Sequence, residues 1–196
     1  MIPWTTRAAA QLVLLISACA TLPPPAPADR THSGRFSLQL SENGKQENSS
    51  GRFSLAVRGA DLTLDLATPM GTTLARVELN PSGARLTAPS TDGIREIRGA
   101  DPESLTRELL GWPLPVAGIA DWILGRPAPD RPADVQGEAG RAVSFEQDGW
   151  SIAVLERFDH GTGAPRRLSI ARAGREQPGI SPAITLRLVL DAPATD

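Results

Sequence analysis

Apolar and polar side chains alternate along most of the chain, as is typical of antiparallel strands that bury one face. In Gly34–Leu40, Phe36 and Leu38 lie on one face, whereas Arg35 and Ser37 lie on the other. The same alternation predicts further strands at Gly51–Arg58, Asp61–Leu66, Thr73–Asn80, Ala84–Ala88, Ala142–Gln147, Trp150–Glu156, Arg167–Arg172 and Ala183–Leu190.

A pentapeptide, Gly-Arg-Phe-Ser-Leu, occurs twice, at Gly34–Leu38 and at Gly51–Leu55. Two copies are too few for a protein built of stacked repeats. We therefore interpret them as neighbouring strands of a meander that are joined across the polar segment Ser41–Asn48. A turn is also predicted at Asn80–Gly83, where Pro and Gly interrupt the alternation.

Between the two groups of strands, the apolar spacing becomes helical. Asp101 and Pro102 predict a helix start, because Asp caps helix N-termini and Pro is favoured at the first helical position. Leu105 and Leu109 share one face of this helix, and Gly111 can end it.

A second short helix is predicted after Pro115, and the Pro-rich segment Arg126–Pro132 is predicted to be a loop. This helix would end at Gly125, and its apolar residues recur at helical spacing. They are Val116, Ile119, Ala120 and Ile123.

The order of elements, strands followed by two short helices and more strands, predicts a mainly β fold. A sheet with one apolar face must cover that face, and two short helices are small for a large curved sheet. We therefore expect an incomplete, half-open antiparallel β-barrel around an apolar cavity, with the short helices as a lid. Such a cavity can hold an apolar ligand.

The first 18 residues predict a secretory signal peptide. Arg7 precedes the apolar run Ala8–Ile16, which is too short to span a bilayer. Small residues then lead directly to Cys19, the single cysteine. This arrangement resembles the bacterial lipoprotein signal, which implies a lipid on Cys19 and an outer-membrane destination, since Ala20 follows. An ordinary secretory signal with a chance cysteine is the alternative.

The remaining chain divides into three parts. Residues 19–32 contain Pro23, Pro24, Pro25 and Pro27, and we interpret them as an extended linker. Residues 33–190 form the predicted β-domain. Residues 191–196 form a tail to which the sequence assigns no role.

Composition and motifs give no support for catalysis, metal binding or nucleic-acid binding. The formal net charge is -2, and the sequence has no run of Lys and Arg. His32 and His160 lie far from other metal-type ligands, so we expect both to be surface residues and expect no cofactor. Asp101 and Glu103 are interpreted as helix-dipole partners. We therefore expect a protein that is not an enzyme.

Two groups of apolar residues leave alternatives open. Trp112, Trp122 and Trp150 either pack as core aromatics or line a lipid pocket. Met70 is at the tip of a predicted tight loop, Thr68–Thr72. Its flexible thioether either folds back onto the core or projects toward a membrane or acyl chain.

The longer motifs resemble the LolB family, the outer-membrane lipoprotein receptors of the Lol lipoprotein-localisation pathway. The resemblance covers about Ser33 to Leu190, and its most specific segments are Leu110–Val116 and Asp121–Pro127. Shorter matching segments are Gly34–Ser37, Gly51–Ser54, Pro69–Ala75 and Gln147–Ile152.

The resemblance implies a monomeric receptor, lipid-anchored on the periplasmic face of the outer membrane. Its partners would be a periplasmic LolA-like lipoprotein carrier, lipoprotein acyl chains and outer-membrane lipids. The loop Pro69, Met70 and Gly71 would act in membrane insertion, with Met70 where the family commonly has Leu. A structural lipoprotein that serves as an assembly scaffold is the alternative. Our candidates for the cavity wall are Phe36, Phe53, Leu64, Leu66, Trp112, Trp122, Ile123 and Trp150.

Overall fold

The computed structural model describes residues 28–138, 141–159, 163–174 and 182–192. In these ranges the chain forms one antiparallel sheet and two short helices. The strands are β1 (Arg30–Glu42), β2 (Lys45–Arg58), β3 (Asp61–Ala67), β4 (Thr73–Asn80), β5 (Gly83–Ser90), β6 (Gly93–Gly99), β7 (Asp134–Glu138), β8 (Arg141–Gln147), β9 (Trp150–Arg157), β10 (Pro165–Arg172) and β11 (Ala183–Leu190). The helices are α1 (Pro102–Leu110) and α2 (Val116–Trp122).

The sheet has eleven strands in the spatial order β6-β5-β4-β3-β2-β1-β11-β10-β9-β8-β7. The first strand lies between β2 and β11, so the two ends of the domain meet at the centre of the sheet. The two outermost strands, β6 and β7, are not paired with each other, and the sheet is therefore not closed into a barrel. This confirms the predicted incomplete antiparallel barrel with short helices.

The sequence pattern does not predict the two edge strands. In β6, Ile94 is exposed and the other side chains are exposed or half-buried, so apolar and polar residues do not alternate. In β7, Val135 is exposed as well. An edge strand that buries little apolar surface has no reason to alternate. Strand β1 also begins earlier than expected, at Arg30, inside the segment interpreted as linker.

The inner face of the sheet and both helices share one apolar core. Leu55, Leu86 and Ile170 from separate strands are fully buried in it. Each such side chain contributes about 1.5–3 kcal/mol on burial. Every strand and helix in the described ranges lies between Arg30 and Leu190, so a chain that starts after Cys19 contains the whole described fold.

The two ends of the sheet carry different features. Asp29, the second described residue, donates its N–H to the Val57 carbonyl and accepts a hydrogen bond from the Gly59 N–H at 2.6 Å. These residues lie beside the β2–β3 turn. The β3–β4 loop, with Met70, lies at the other end of β3. The chain therefore enters the sheet at the end opposite Met70.

The repeated pentapeptide has a structural explanation. The register of β1 and β2 places Gly34 opposite Phe53 and Phe36 opposite Gly51. A Cβ atom added at Gly51 would lie 2.8 Å from the Phe36 ring and 2.1 Å from the Ala67 carbonyl oxygen. Each phenyl ring therefore packs over the bare backbone of the opposite glycine, an arrangement that stabilises glycine within a sheet.

We expect Gly51→Ala to lower the free energy of unfolding by about 2–3 kcal/mol, because the methyl group overlaps backbone as well as the Phe36 ring. Urea unfolding followed by tryptophan fluorescence measures this change. Ser37→Ala, at an exposed position of β1, is the control and should change stability little. Equal stability of the two variants would contradict the packing argument.

Candidate functional site

The β3–β4 loop holds an exposed apolar side chain at a fixed position. The Thr68 N–H donates to the Thr72 carbonyl at 2.8 Å, and the Gly71 N–H donates to the Thr68 carbonyl at 2.9 Å. Gly71 has φ 92°, a conformation that favours glycine. Met70 is 93% exposed at the tip. The structure therefore excludes the alternative in which Met70 folds back onto the core.

Most of the residues predicted to form the cavity wall are buried together in the core that the sheet and the helices share. Trp150 is 0% exposed, and Leu64, Trp122 and Ile123 are each 1% exposed. A side chain without water-accessible surface lines no open space, so these residues form a closed core in this conformation. An acyl chain can enter here only if the helices move away. Of the others, Phe36, Phe53 and Leu66 are buried and Trp112 is half-buried.

The first helix is attached to the sheet by Glu103. Its carboxylate accepts hydrogen bonds from the indole N–H of Trp150 at 3.0 Å and from the Arg172 guanidinium at 2.9 and 3.2 Å. The same guanidinium lies 4.1 Å from the centre of the Trp150 ring. Cation–π contacts and charge-assisted hydrogen bonds are stronger where water is partly excluded, as it is here. We call Glu103, Trp150 and Arg172 the α1 latch.

The start of this helix is as the sequence predicts. The Asp101 carboxylate accepts hydrogen bonds from the backbone N–H groups of Glu103 and Ser104. The hydrogen bond from the Ser104 hydroxyl, with help from these N–H groups, holds the pKa of Asp101 below its usual value, although partial burial opposes this effect. The cap fixes the first turn of α1 and therefore the direction in which the Glu103 side chain points.

The second helix is attached by a buried amide. The Gln147 side-chain oxygen accepts hydrogen bonds from the Trp122 indole N–H at 2.7 Å and the Ala128 N–H at 2.8 Å. The side-chain nitrogen donates to the carbonyls of Ala128 and Arg131, each at 3.0 Å. Gln147 is only 2% exposed, so the loss of any of these partners would leave a buried polar group unsatisfied.

The two helices are also joined to each other. Thr106 is fully buried, and its hydroxyl donates to the Glu103 carbonyl at 3.0 Å and accepts from the Leu114 N–H at 2.8 Å. The helices pack on β4, β5 and β6, where Glu108 of α1 also pairs with Arg95 of β6 at 3.2 Å. Polar contacts of Glu103 and Trp122 attach them to the β8–β10 side of the sheet as well.

The sequence pattern does not identify these attachments. It assigns Glu103 to the helix dipole, whereas the structure pairs its carboxylate with Arg172, 69 residues away. One signal was present for Gln147: it occupies an inward position of β8, two residues after the buried Phe145. A polar residue at an inward position must find buried partners.

The latch and the exposed loop lie at the same end of the molecule. Register pairs connect Ser151 at the start of β9 through Ala171 and Thr185 to Gln39 on β1. On β2 this level is four residues beyond the position that pairs with the end of β3, on the side to which the Met70 loop extends. Movement of α1 away from the latch would therefore open the core beside the exposed loop.

A family model described as "Outer membrane lipoprotein LolB" matches residues 29–192, nearly the whole of the described domain. The chain belongs to the LolB family. It is similar to the outer-membrane lipoprotein LolB of Cupriavidus pinatubonensis, with 36% identity over 91% of this chain and 89% of the relative. The LolB of Bordetella petrii is 38% identical over 89% and 94%, and that of Bordetella pertussis is 35% identical over 93% and 89%.

Neither helix in the described part of this LolB-family protein has the length and apolar character needed to cross a bilayer.

One histidine departs from expectation. His32 is not a fully exposed surface residue: it is half-buried on β1, beside a pocket of about 370 Å³ that Phe158 and Leu190 also line. Its Nε2 atom is buried without a hydrogen-bond partner among the described residues. Burial, with a smaller effect from the positive charge of Arg30, lowers the pKa of His32 below 6.5. His160 lies outside the described residues.

This shift predicts a pH dependence of stability for the LolB-family domain. Since the folded pKa is lowered, the unfolded chain binds the proton more readily. The contribution of His32 is therefore complete above pH 6.5 and declines as the pH falls toward the folded pKa. Between about pH 7.5 and pH 5, the melting temperature of the wild type should fall further than that of His32→Asn. Parallel curves for the two proteins would contradict this assignment.

Proposed function

We propose that this protein is a receptor anchored in the outer membrane through a lipid on Cys19. It accepts lipoproteins from a LolA-like periplasmic carrier, shelters their acyl chains under the helices and inserts them into the membrane. The family membership supports a role as an outer-membrane lipoprotein of the Lol system. The observation that carries the mechanism is the exposed Met70 on a domain whose apolar core is covered by only two small helices.

The physical need for a receptor follows from the cargo. Each buried CH2 group contributes about 0.8 kcal/mol, so an acyl chain with about fifteen CH2 groups would cost roughly 12 kcal/mol to expose to water. Once the helices move, the apolar side chains of the core can pack against an acyl chain. Release needs no nucleotide, because the bilayer is the more favourable environment for the chain.

The length of the tether is compatible with this role. The described chain enters the sheet at the end opposite Met70. From Arg30 to the level of the loop tip is about eight residues of strand, or roughly 27 Å. The ten residues from Cys19 to Ala28 reach about 30 Å if they are extended at about 3.1 Å per residue. Met70 can therefore approach the bilayer that holds the anchor.

The first test of the proposal is Met70→Glu. This variant should accept a lipoprotein from the carrier normally but insert it into vesicles about tenfold or more slowly, because a carboxylate at the loop tip resists entry into the bilayer. Transfer of a labelled lipoprotein from carrier to receptor and from receptor to vesicles measures the two steps separately.

Two variants control for the chemistry and for the position. Met70→Leu keeps an apolar tip and should insert cargo like the wild type. Leu155→Glu places the same charge at another exposed apolar position, on the outside of β9, and should have no effect. Normal insertion by Met70→Glu would remove the loop from the mechanism.

The second test concerns the α1 latch. Arg172→Met removes the ion pair and the cation–π contact but keeps a flexible apolar stem. The open state should become more populated, and the apparent affinity for a fluorescent fatty-acid probe should rise roughly tenfold. Arg76→Met, which removes a similar ion pair with Asp65 on the outer face, is the control and should bind the probe like the wild type. Unchanged probe binding by Arg172→Met would argue against α1 as the lid.

A structural lipoprotein is the second candidate, and the closed core favours it. With Trp122 and Trp150 almost fully buried, the interior is filled by side chains in this conformation. The probe experiment separates the two functions. A scaffold would take up no probe in the wild type or in Arg172→Met, whereas a receptor would take it up in both.

A further inference from the structure

Three exposed arginines cluster on the outer face of the sheet. Arg35 on β1 lies directly opposite Arg52 on β2. Arg187 on β11 lies opposite Ser37, two residues along β1 from Arg35. Like charges placed opposite each other on neighbouring strands destabilise a sheet. The repeated pentapeptide therefore brings two positive charges together at the centre of the sheet, at some cost to folding.

None of the three arginines has a carboxylate partner in the part of the chain that the structure describes. The carboxylates at neighbouring register positions have other partners. Asp65 accepts two hydrogen bonds from Arg76, at 2.6 and 3.0 Å. Asp191 accepts a hydrogen bond from the Ser33 hydroxyl at 2.7 Å. The described carboxylates therefore leave these three positive charges unpaired, and an anionic group of another molecule could pair with them.

A polar groove adjoins this cluster. It has a volume of about 340 Å³ and contains Arg187 at its edge. Its other outward-facing side chains are hydroxyls and amides, which can donate hydrogen bonds to phosphate oxygens. They are Ser37, Gln39, Asn48, Ser50 and Thr185. Glu42 and Glu47 of the same hairpin alternate onto the opposite face, with Leu40, so no carboxylate of the hairpin joins the groove.

The cluster lies just behind the Met70 loop. Arg52 pairs with Ala67, the last residue of β3, and Met70 follows three residues later. At about 3.4 Å per residue, the arginines lie up to about 10 Å behind the loop tip. The apolar face of an interfacial helix is buried about 5–10 Å into the boundary between headgroups and acyl chains, and we use this depth for Met70. With Met70 at that depth, the three guanidinium groups would be level with the lipid phosphates.

We propose that Arg35, Arg52, Arg187 and the adjoining groove bind the headgroups of anionic phospholipids and orient the Met70 loop toward the membrane. This inference rests on the proposed function of that loop and adds the lipid chemistry that it recognises. Guanidinium groups bind phosphate oxygens through paired hydrogen bonds. A bound phosphate would also relieve the repulsion between Arg35 and Arg52.

The test uses residues 20–196, which contain all described strands and helices without the acyl anchor. Binding is measured by co-sedimentation with vesicles of phosphatidylcholine alone and with vesicles that also contain phosphatidylglycerol. The wild type should bind the anionic vesicles more tightly, and added salt should weaken this preference. The triple variant R35Q/R52Q/R187Q should bind them roughly 100-fold more weakly, at about fivefold per arginine.

A second triple variant controls for net charge. R85Q/R98Q/R126Q loses the same three charges from ion-paired arginines outside the cluster, two on β5 and β6 and one after α2, and should bind like the wild type. If R35Q/R52Q/R187Q bound anionic vesicles with the affinity of the wild type, the inference would be overturned. This would hold even if the variant received less cargo from an acidic carrier protein. If R35Q/R52Q/R187Q lost as much affinity for neutral vesicles as for anionic ones, the inference would also be overturned. The arginines would then not recognise the charge of the headgroups.

The same vesicles separate this inference from the proposed function. On phosphatidylcholine alone, R35Q/R52Q/R187Q should insert cargo like the wild type, whereas Met70→Glu should not. Normal insertion by Met70→Glu on neutral vesicles would contradict the role of the loop, whatever the arginine variants do.

Discussion

The fold depends on how one sheet covers its apolar face. Inner side chains such as Leu55, Leu86 and Ile170 expose no surface to water, yet in the described part of the chain only two helices, of nine and seven residues, cover the sheet. Helices this short are not stable alone and must be held by tertiary contacts. The α1 latch and the buried Gln147 supply these contacts, and each works because its polar atoms are almost all satisfied within the protein.

This manner of closure suits a protein that shelters an apolar ligand for a limited time. An interior sealed only by large apolar side chains would resist opening along its whole length. Here, displacement of α1 separates the Glu103 carboxylate from Arg172 and Trp150, groups that can be hydrated once exposed. The latch lies at the end of the sheet that carries Met70, so the proposed exit for cargo and the proposed contact with the membrane coincide.

The repeated pentapeptide serves the two faces of the sheet differently. On the inner face, each glycine leaves room for the phenyl ring of the other copy, which fixes the register of β1 and β2. On the outer face, the same register brings Arg35 and Arg52 together. Neither consequence can be seen in one copy alone, because both depend on the antiparallel pairing of the two.

Local alternation, capping and motif spacing were enough to predict the strands with a buried face, the start of α1 at Asp101, the tight turn at Met70 and the family. It could not predict β6 and β7, which bury too little to alternate. The folded arrangement was needed to show that Glu103 meets Arg172, that Gln147 holds Trp122 and that most of the predicted cavity residues are buried in a closed core. These contacts join residues far apart in the chain, and local patterns carry no information about which distant side chains meet.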